Sequence, residues 1–298
     1  MPNAKLKNYL HLHFLVFIAG FTAILGELIS IKAIPLVWFR MLIATILMSI
    51  YIRIMRIKIK IPTKYILRFC IAGVIIALHW ITFFGSIKVA NVSIALSMFS
   101  TGAFFASFIE PIIFRRRVIW YEIIFGIIVI IGVFIITKSE MKYLTGIILG
   151  ILSAFLSSLF AVINGKFLER NSATVISFYE FLGGVLFITI FIPIFGDGFS
   201  TDFFKLSGSD YGYLFILASI CTAYAFIASV YIMNYISPYT VILTYNLEPV
   251  YGIVLALILF PESEIMSPQF YIGAIIIITV VILNGFIKNS KRSKRIAI

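Results

Sequence analysis

Charge, cysteine and histidine are all scarce in this sequence. Only 12% of its 298 residues are Asp, Glu, Lys or Arg, where a soluble domain carries about a quarter. A surface wetted on every side needs more charge than that, so a soluble enzyme or soluble binding module is excluded. The two cysteines, Cys70 and Cys221, both fall in apolar stretches. They supply neither a disulfide framework nor metal-ligand spacing, and read as small packing residues. The three histidines, His11, His13 and His79, form no metal-ligand pair and no triad, and no Gly-x-Ser-x-Gly elbow occurs. No catalytic residue, metal or cofactor is therefore expected, and the chain does not read as an enzyme.

What it has instead is hydrocarbon. Hydrophobic residues make up 62% of the chain, and the mean hydropathy is +1.11. A helix needs about 20 residues to cross roughly 30 Å of bilayer core. Ten apolar runs meet that length, near 10–31, 34–53, 65–87, 92–114, 118–137, 144–164, 173–195, 211–234, 239–260 and 269–287. The first follows a short basic stretch, as a signal peptide would. Its apolar run is too long for one and ends in no small-residue cleavage site, so it reads as a retained helix. The expected fold is an all-α polytopic membrane protein with ten transmembrane helices.

A net charge of +12 would suggest nucleic acid in a soluble protein, but its distribution points to a bilayer. With the N-terminus in the cytoplasm, 18 of the 24 basic residues lie inside, in the clusters 5–7, 53–68, 115–117, 166–170 and 288–295. Five lie outside, and Arg40 alone is left within a span. This excess of Lys and Arg on one side puts both termini in the cytoplasm. The basic tail then serves as a cytoplasmic anchor in contact with anionic lipid, and nucleic acid is not an expected partner.

The chain also reads as two copies of one pattern. A shift of 147 residues places Glu122–Gly126 on Gln269–Gly273, and a shift of 140 places Trp38–Leu42 on Phe178–Leu182. The seven-residue difference fits the longer polar connection at 196–210. Five spans per copy is an odd number, so the second copy enters the membrane from the opposite face. The division is 1–142 for the first five-helix repeat, and 143–298 for the second with its tail. Inverted repeats of this kind mark alternating-access transporters, with the site at the repeat interface.

At these residues a resemblance appears. Gly20–Gly26 (GFTAILG), Pro35–Arg40 (PLVWFR), and Leu247-Glu248-Pro249 followed by Glu262 and Gly273 resemble the EamA-type transporters of the drug/metabolite transporter superfamily. The likeness implies two inverted five-helix repeats around a cavity open alternately to each side. It also implies export of amino acids, related metabolites or drugs, and residence in a bacterial inner membrane. The first copy departs from the pattern: Thr101-Gly102 and Arg115 stand where the second has Glu248-Pro249 and Glu262. Whatever Pro249 does is thus expected not to be duplicated. Alternatives are a nucleotide-sugar or lipid-linked substrate carrier or, further off, a membrane-embedded enzyme.

Several residues are candidates for the transport path. His79-Trp80 on the third helix faces a choice between packing and lining. Ser93, Ser97, Ser100 and Thr101 share one face of the fourth. That stripe is either back-bonded to carbonyls one turn earlier or forms the wall of a polar cavity. The ninth helix adds Thr244, Tyr245, Asn246 and Glu248, and Tyr179, Tyr224 and Tyr231 would make the cavity aromatic. Such a cavity suits amino acids or aromatic or cationic compounds. Glu248 is read as roughly 14 Å into its helix, near the midplane, where an unpaired carboxylate is costly. Glu248, Glu110 and His79 are candidate proton-coupling groups. Glu27 with Arg40, and Lys166 with Glu180, are 13 and 14 residues apart across helical hairpins, and are expected to pair as gates on opposite faces. The nearly pure apolar helices at 123–137 and 272–283 are expected to face lipid or a partner subunit, which is compatible with a homodimer.

Overall fold

A chain this apolar has to satisfy its amides within itself, and a helix does so segment by segment. The computed structural model describes residues 2–115, 117, 119–195, 198–232, 235, 244, 245 and 247–296. Among these, every regular element is helical: α1 (Pro2–Leu28), α2 (Ala33–Ile54), α3 (Thr63–Val89), α4 (Val92–Phe99), α5 (Gly102–Phe114), α6 (Trp120–Ser139), α7 (Leu144–Leu168), α8 (Ala173–Phe195), α9 (Gly208–Ala218), α10 (Ala225–Ile232), α11 (Glu248–Leu259), α12 (Pro261–Glu264) and α13 (Pro268–Ile296). Eight helical stretches are long and apolar enough to cross a membrane, and Glu248–Leu259 and Pro268–Asn284 are shorter apolar helices.

Three of the apolar runs are interrupted. Between α4 and α5 the ladder tightens: the amide of Thr101 donates to the carbonyl of Met98 at 3.0 Å, and that of Phe104 to Thr101 at 3.0 Å. Before α11 the amide of Leu247 donates to the carbonyl of Thr244 at 3.0 Å, and the helix proper begins at Glu248. Between α9 and α10 lies a π-helical turn, Ser219–Tyr224.

Small residues set the crossings. α3 packs chiefly on α7 and α8. At Gly73 it meets the backbone of Glu180, and Gly146 on α7 meets Ala90, where any Cβ would collide. A Cβ on Gly20 of α1 would lie 3.0 Å from the carbonyl of Glu248, so α1 and α11 touch almost backbone to backbone. The helices that carry the nearly pure apolar runs, α6 and α13, pack on each other through Gly132 and Gly273. Their partner is therefore within the chain. Their outer faces still present Ile127, Ile130, Phe134 and Ile275 to the surroundings, as lipid contact requires.

Candidate functional site

Arg40 is the eighth residue of α2 and only 4% exposed. Its guanidinium carbon sits 3.9 Å from the centre of the Trp80 ring and 5.5 Å from that of Phe84, both on α3. Its Nε donates to Thr222 Oγ1 at 2.8 Å. Thr222 sits in the π turn, and its hydroxyl donates five residues back to the carbonyl of Leu217 at 2.7 Å. The distortion thus turns a hydroxyl toward the cation, the kind of local irregularity that accompanies functional sites. Stacking on a desolvated aromatic ring is worth up to about 2 kcal/mol, well short of a buried charge's solvation. Among the described residues, the Nη groups of Arg40 have no hydrogen-bond acceptor. Glu248 is the carboxylate whose field reaches Arg40, yet the two do not meet as an ion pair. Beside Glu248, the Tyr245 hydroxyl lies 2.6 Å from Ser229 Oγ. Ser229 already donates to the carbonyl of Ala225, so Tyr245 is the donor. A buried guanidinium on an indole face and a half-buried carboxylate beside a phenol thus lie near one another, unjoined.

Adjacent residues on α3 go to different places. Trp80 joins Arg40, whereas His79 turns to α7, with Nδ1 3.0 Å from the Ser153 carbonyl and 2.9 Å from Ser153 Oγ. The rings of Phe83, Phe99 and Phe160 surround it. The hydroxyl stripe of α4 divides as well. Ser100 and Thr101 back-bond to Leu96 and Met98 at 3.0 and 2.7 Å. Ser93 and Ser97 are fully buried, with hydroxyl oxygens that have no hydrogen-bond partner. Asn246 lies outside the described residues. Three expected lining tyrosines do not line a centre. Tyr224 is exposed and bonds His11 at 2.7 Å, Tyr231 is exposed and bonds Tyr235 at 3.0 Å, and Tyr179 reaches the carbonyl of Ile59. Glu110 is on α5, which packs chiefly on α7 and α6 rather than beside Arg40.

One expectation about Glu248-Pro249 needs correction. Glu248 opens α11, with Pro249 in its first turn, where a missing amide hydrogen costs nothing. The twelve residues of α11 leave Glu248 roughly 18 Å from that helix's far end. The interruption is duplicated. Shifted by 147 residues, the start of α11 falls on Thr101, next to the start of α5 at Gly102. In the first half glycine and back-bonded hydroxyls produce the step that proline marks in the second.

The two expected hairpin ion pairs are not formed. Arg40 is committed to Trp80 and Thr222, and the electrostatic neighbour of Glu27 is Lys88. Lys166 meets Glu169 at 3.7 Å at a half-exposed position, while Glu180 is wholly buried. What holds the face opposite the termini together is a set of charged groups on backbone atoms, which pairing arguments overlooked. Asp210 accepts from the amide and hydroxyl of Ser30 at 2.7 and 2.6 Å, and from the amide of Ser207 at 2.9 Å. Glu264 accepts from the amides of Val92 and Ser93 at 2.9 and 2.8 Å, Asn91 donates to the Ser263 carbonyl at 3.0 Å, and Glu140 accepts from Ser267. Lys88 donates to the carbonyls of Glu27 and Ile29. Only one of these had a sequence signal: Ser207-x-x-Asp210 is a capping box. The others join residues up to 180 positions apart.

No curated protein matches the sequence. A solved crystal structure shares the fold, with a TM-score of 0.63 at 12% identity, covering 92% of this chain and 96% of that one. The model of the EamA-like transporter family matches twice, at residues 7–138 and 144–286. With the family pattern matched in both halves and eight long apolar helices among the described residues, the chain belongs to the EamA-like transporter family and is a multi-pass membrane transporter of the drug/metabolite transporter superfamily.

Proposed function

We propose that this protein exports small zwitterions of the amino-acid class across a bacterial cytoplasmic membrane, by alternating access around Arg40 and Glu248. The observation that carries the reading is the buried guanidinium whose Nη donors lack acceptors, with an unjoined carboxylate in the same region. A substrate carboxylate would take the planar Nη pair in two parallel charge-assisted hydrogen bonds. The substrate ammonium would take Glu248, with Tyr245 beside it, and an apolar or ring side chain would lie against Trp80. Ser97, Thr101 and Asn246 complete the expected lining, and His79 braces α3 on α7.

The repeat supports the mechanism. Two interrupted helices begin at equivalent places, α5 at Gly102 and α11 at Glu248, and the family pattern matches each half. Rocking one half against the other about those steps would open one face while closing the other. By the distribution of basic residues the termini are cytoplasmic, so the face held by Asp210, Glu264 and Lys88 is the outer gate, closed here. Its groups replace the pairing first expected of Glu27 with Arg40.

The test is counterflow in liposomes holding the purified protein, screened with labelled amino acids. Uptake of one or more amino acids, abolished in Arg40→Ala and retained in a surface control such as Lys205→Ala, is the expected result. Equal uptake by Arg40→Ala and wild type, or uptake confined to substrates without a carboxylate, would overturn the assignment.

A further inference from the structure

One buried ionisable group takes no part in the site above. Glu180 is the eighth residue of α8, as Arg40 is of α2, and the two are equivalent under the 140-residue shift. It is 0% exposed, and neither carboxyl oxygen has a hydrogen-bond partner. The wall in front of it is tight, because α3 presents Gly73 directly to the backbone of Glu180. The side chain of Asn164 on α7 is the polar neighbour of the carboxyl, and its Oδ1 is also buried and unpartnered.

Among the described residues, no cation pairs with Glu180. Of the elements packed on α8, α3 contributes Cys70, whose thiol points to the carbonyl of Tyr179, and His79, which is bound to Ser153. Lys64 and Arg68 of α3 are exposed, Arg68 lies over Tyr65, and Lys88 is bound to the carbonyls of Glu27 and Ile29. From α2 come Arg40, held by Trp80 and Thr222, and Arg53, which is exposed. From α7 comes Lys166, paired with Glu169, and from α10 comes Tyr231, exposed and bonded to Tyr235. A bare carboxylate with no partner in such a place costs several kcal/mol. A carboxyl group that keeps its proton has a donor, and among the described residues the neighbouring Asn164 side chain carries an orphan acceptor, Oδ1. A single O–H bond to that oxygen satisfies both orphans.

We infer that Glu180 is a proton-binding site of the transporter, protonated in this outer-closed conformation and hydrogen-bonded to Asn164. When the α3–α8 contact loosens and water enters, the O–H bond breaks, the proton passes to water and the carboxylate is left hydrated. Reclosing requires a proton to be taken back, so the proton travels with the conformational change. Arg40 holds a fixed charge at the equivalent place in the first repeat, and Glu180 holds an exchangeable one in the second.

The idea rests on the transporter reading for its use but not for its detection, since infrared spectroscopy of the reconstituted protein reads the carboxyl group itself. At neutral pH the wild type should show the C=O stretch of a protonated, water-free carboxyl that is missing from Glu180→Gln. Asn164→Leu should move that band to higher frequency, because the hydrogen bond is gone. The neutral isostere Glu180→Gln should melt no lower than the wild type at neutral pH, and its advantage should shrink as pH falls. A difference spectrum without that band, or a Glu180→Gln protein that melts lower at neutral pH, would overturn the proposal. Either result would leave the amino-acid counterflow assay, and the site at Arg40, untouched.

Discussion

Single side chains decide more here than their number suggests, because each buried charge sits where water cannot help it. Arg40 is the clearest case. Its charge, planarity and stacking on Trp80 are separate properties, and Arg40→Lys keeps only the first. That variant should raise the KM for a transported amino acid by tenfold or more, the equivalent of one lost charge-assisted bond of about 1.5–3 kcal/mol. The measurement is initial-rate uptake, and an unchanged KM would remove Arg40 from the substrate. Glu248→Gln should impair transport far more than membrane insertion or melting, because the neutral amide fits the same space but cannot hold an ammonium. Normal kinetics in Glu248→Gln would place the carboxylate outside the path. His79 and Trp80 were legible as neighbours in the sequence, but not as side chains serving different helices. One residue of helical rotation is about 100°, enough to send one ring to Ser153 and the other to Arg40.

At the scale of the element, the helices follow from hydropathy and their interruptions from local chemistry. The runs anticipated near 34–53, 65–87 and 173–195 correspond to α2, α3 and α8 with ends displaced by a few residues. The step at Pro249 was expected not to be duplicated because the first half has no proline there, yet a helix also starts at Gly102. A consequence can be measured: Pro249→Ala should change the melting temperature little, under about 1 kcal/mol in stability, because a first-turn proline removes no helical hydrogen bond. A large loss would mean that the proline is holding the interruption open. Gly252→Leu is the opposite case. A side chain there runs into Leu96 and the α1 backbone at Gly20, so the variant should fold poorly or lose all transport, as thermal melting and uptake would show. The step at Ser100–Thr101 had no proline to announce it, and the equivalence of Thr101-Gly102 with Glu248-Pro249 was read as a departure rather than as a second step.

On the scale of the whole molecule, the closed face is a network of carboxylates and one lysine reaching backbone atoms of distant loops. Asp210→Asn weakens three of those bonds, and Glu264→Gln leaves at most one of its two amides well bonded. Both variants should increase labelling of a cysteine placed on the interior side of that face by a membrane-impermeant reagent added outside. Asp210→Asn should show the larger effect. Labelling that is unchanged in both would mean that these contacts are static braces.

Membership of a bilayer, the helical class and the approximate limits of the spans were determined by the sequence alone, because they depend on composition and on periodicity over about twenty residues. The weak internal likeness at 147 and 140 residues was legible too, since the family pattern is written once in each half. Which charges meet was decided only by the tertiary structure. Hairpin proximity suggested Glu27 with Arg40 and Lys166 with Glu180. The fold instead spends Arg40 on an indole and a π turn, places Lys88 by Glu27, and leaves Glu180 in a dry contact between α3 and α8. The physical reason is that an ion's partner depends on the rotation of each helix and on how closely glycines let the backbones approach. Both are set by contacts between residues far apart in the chain.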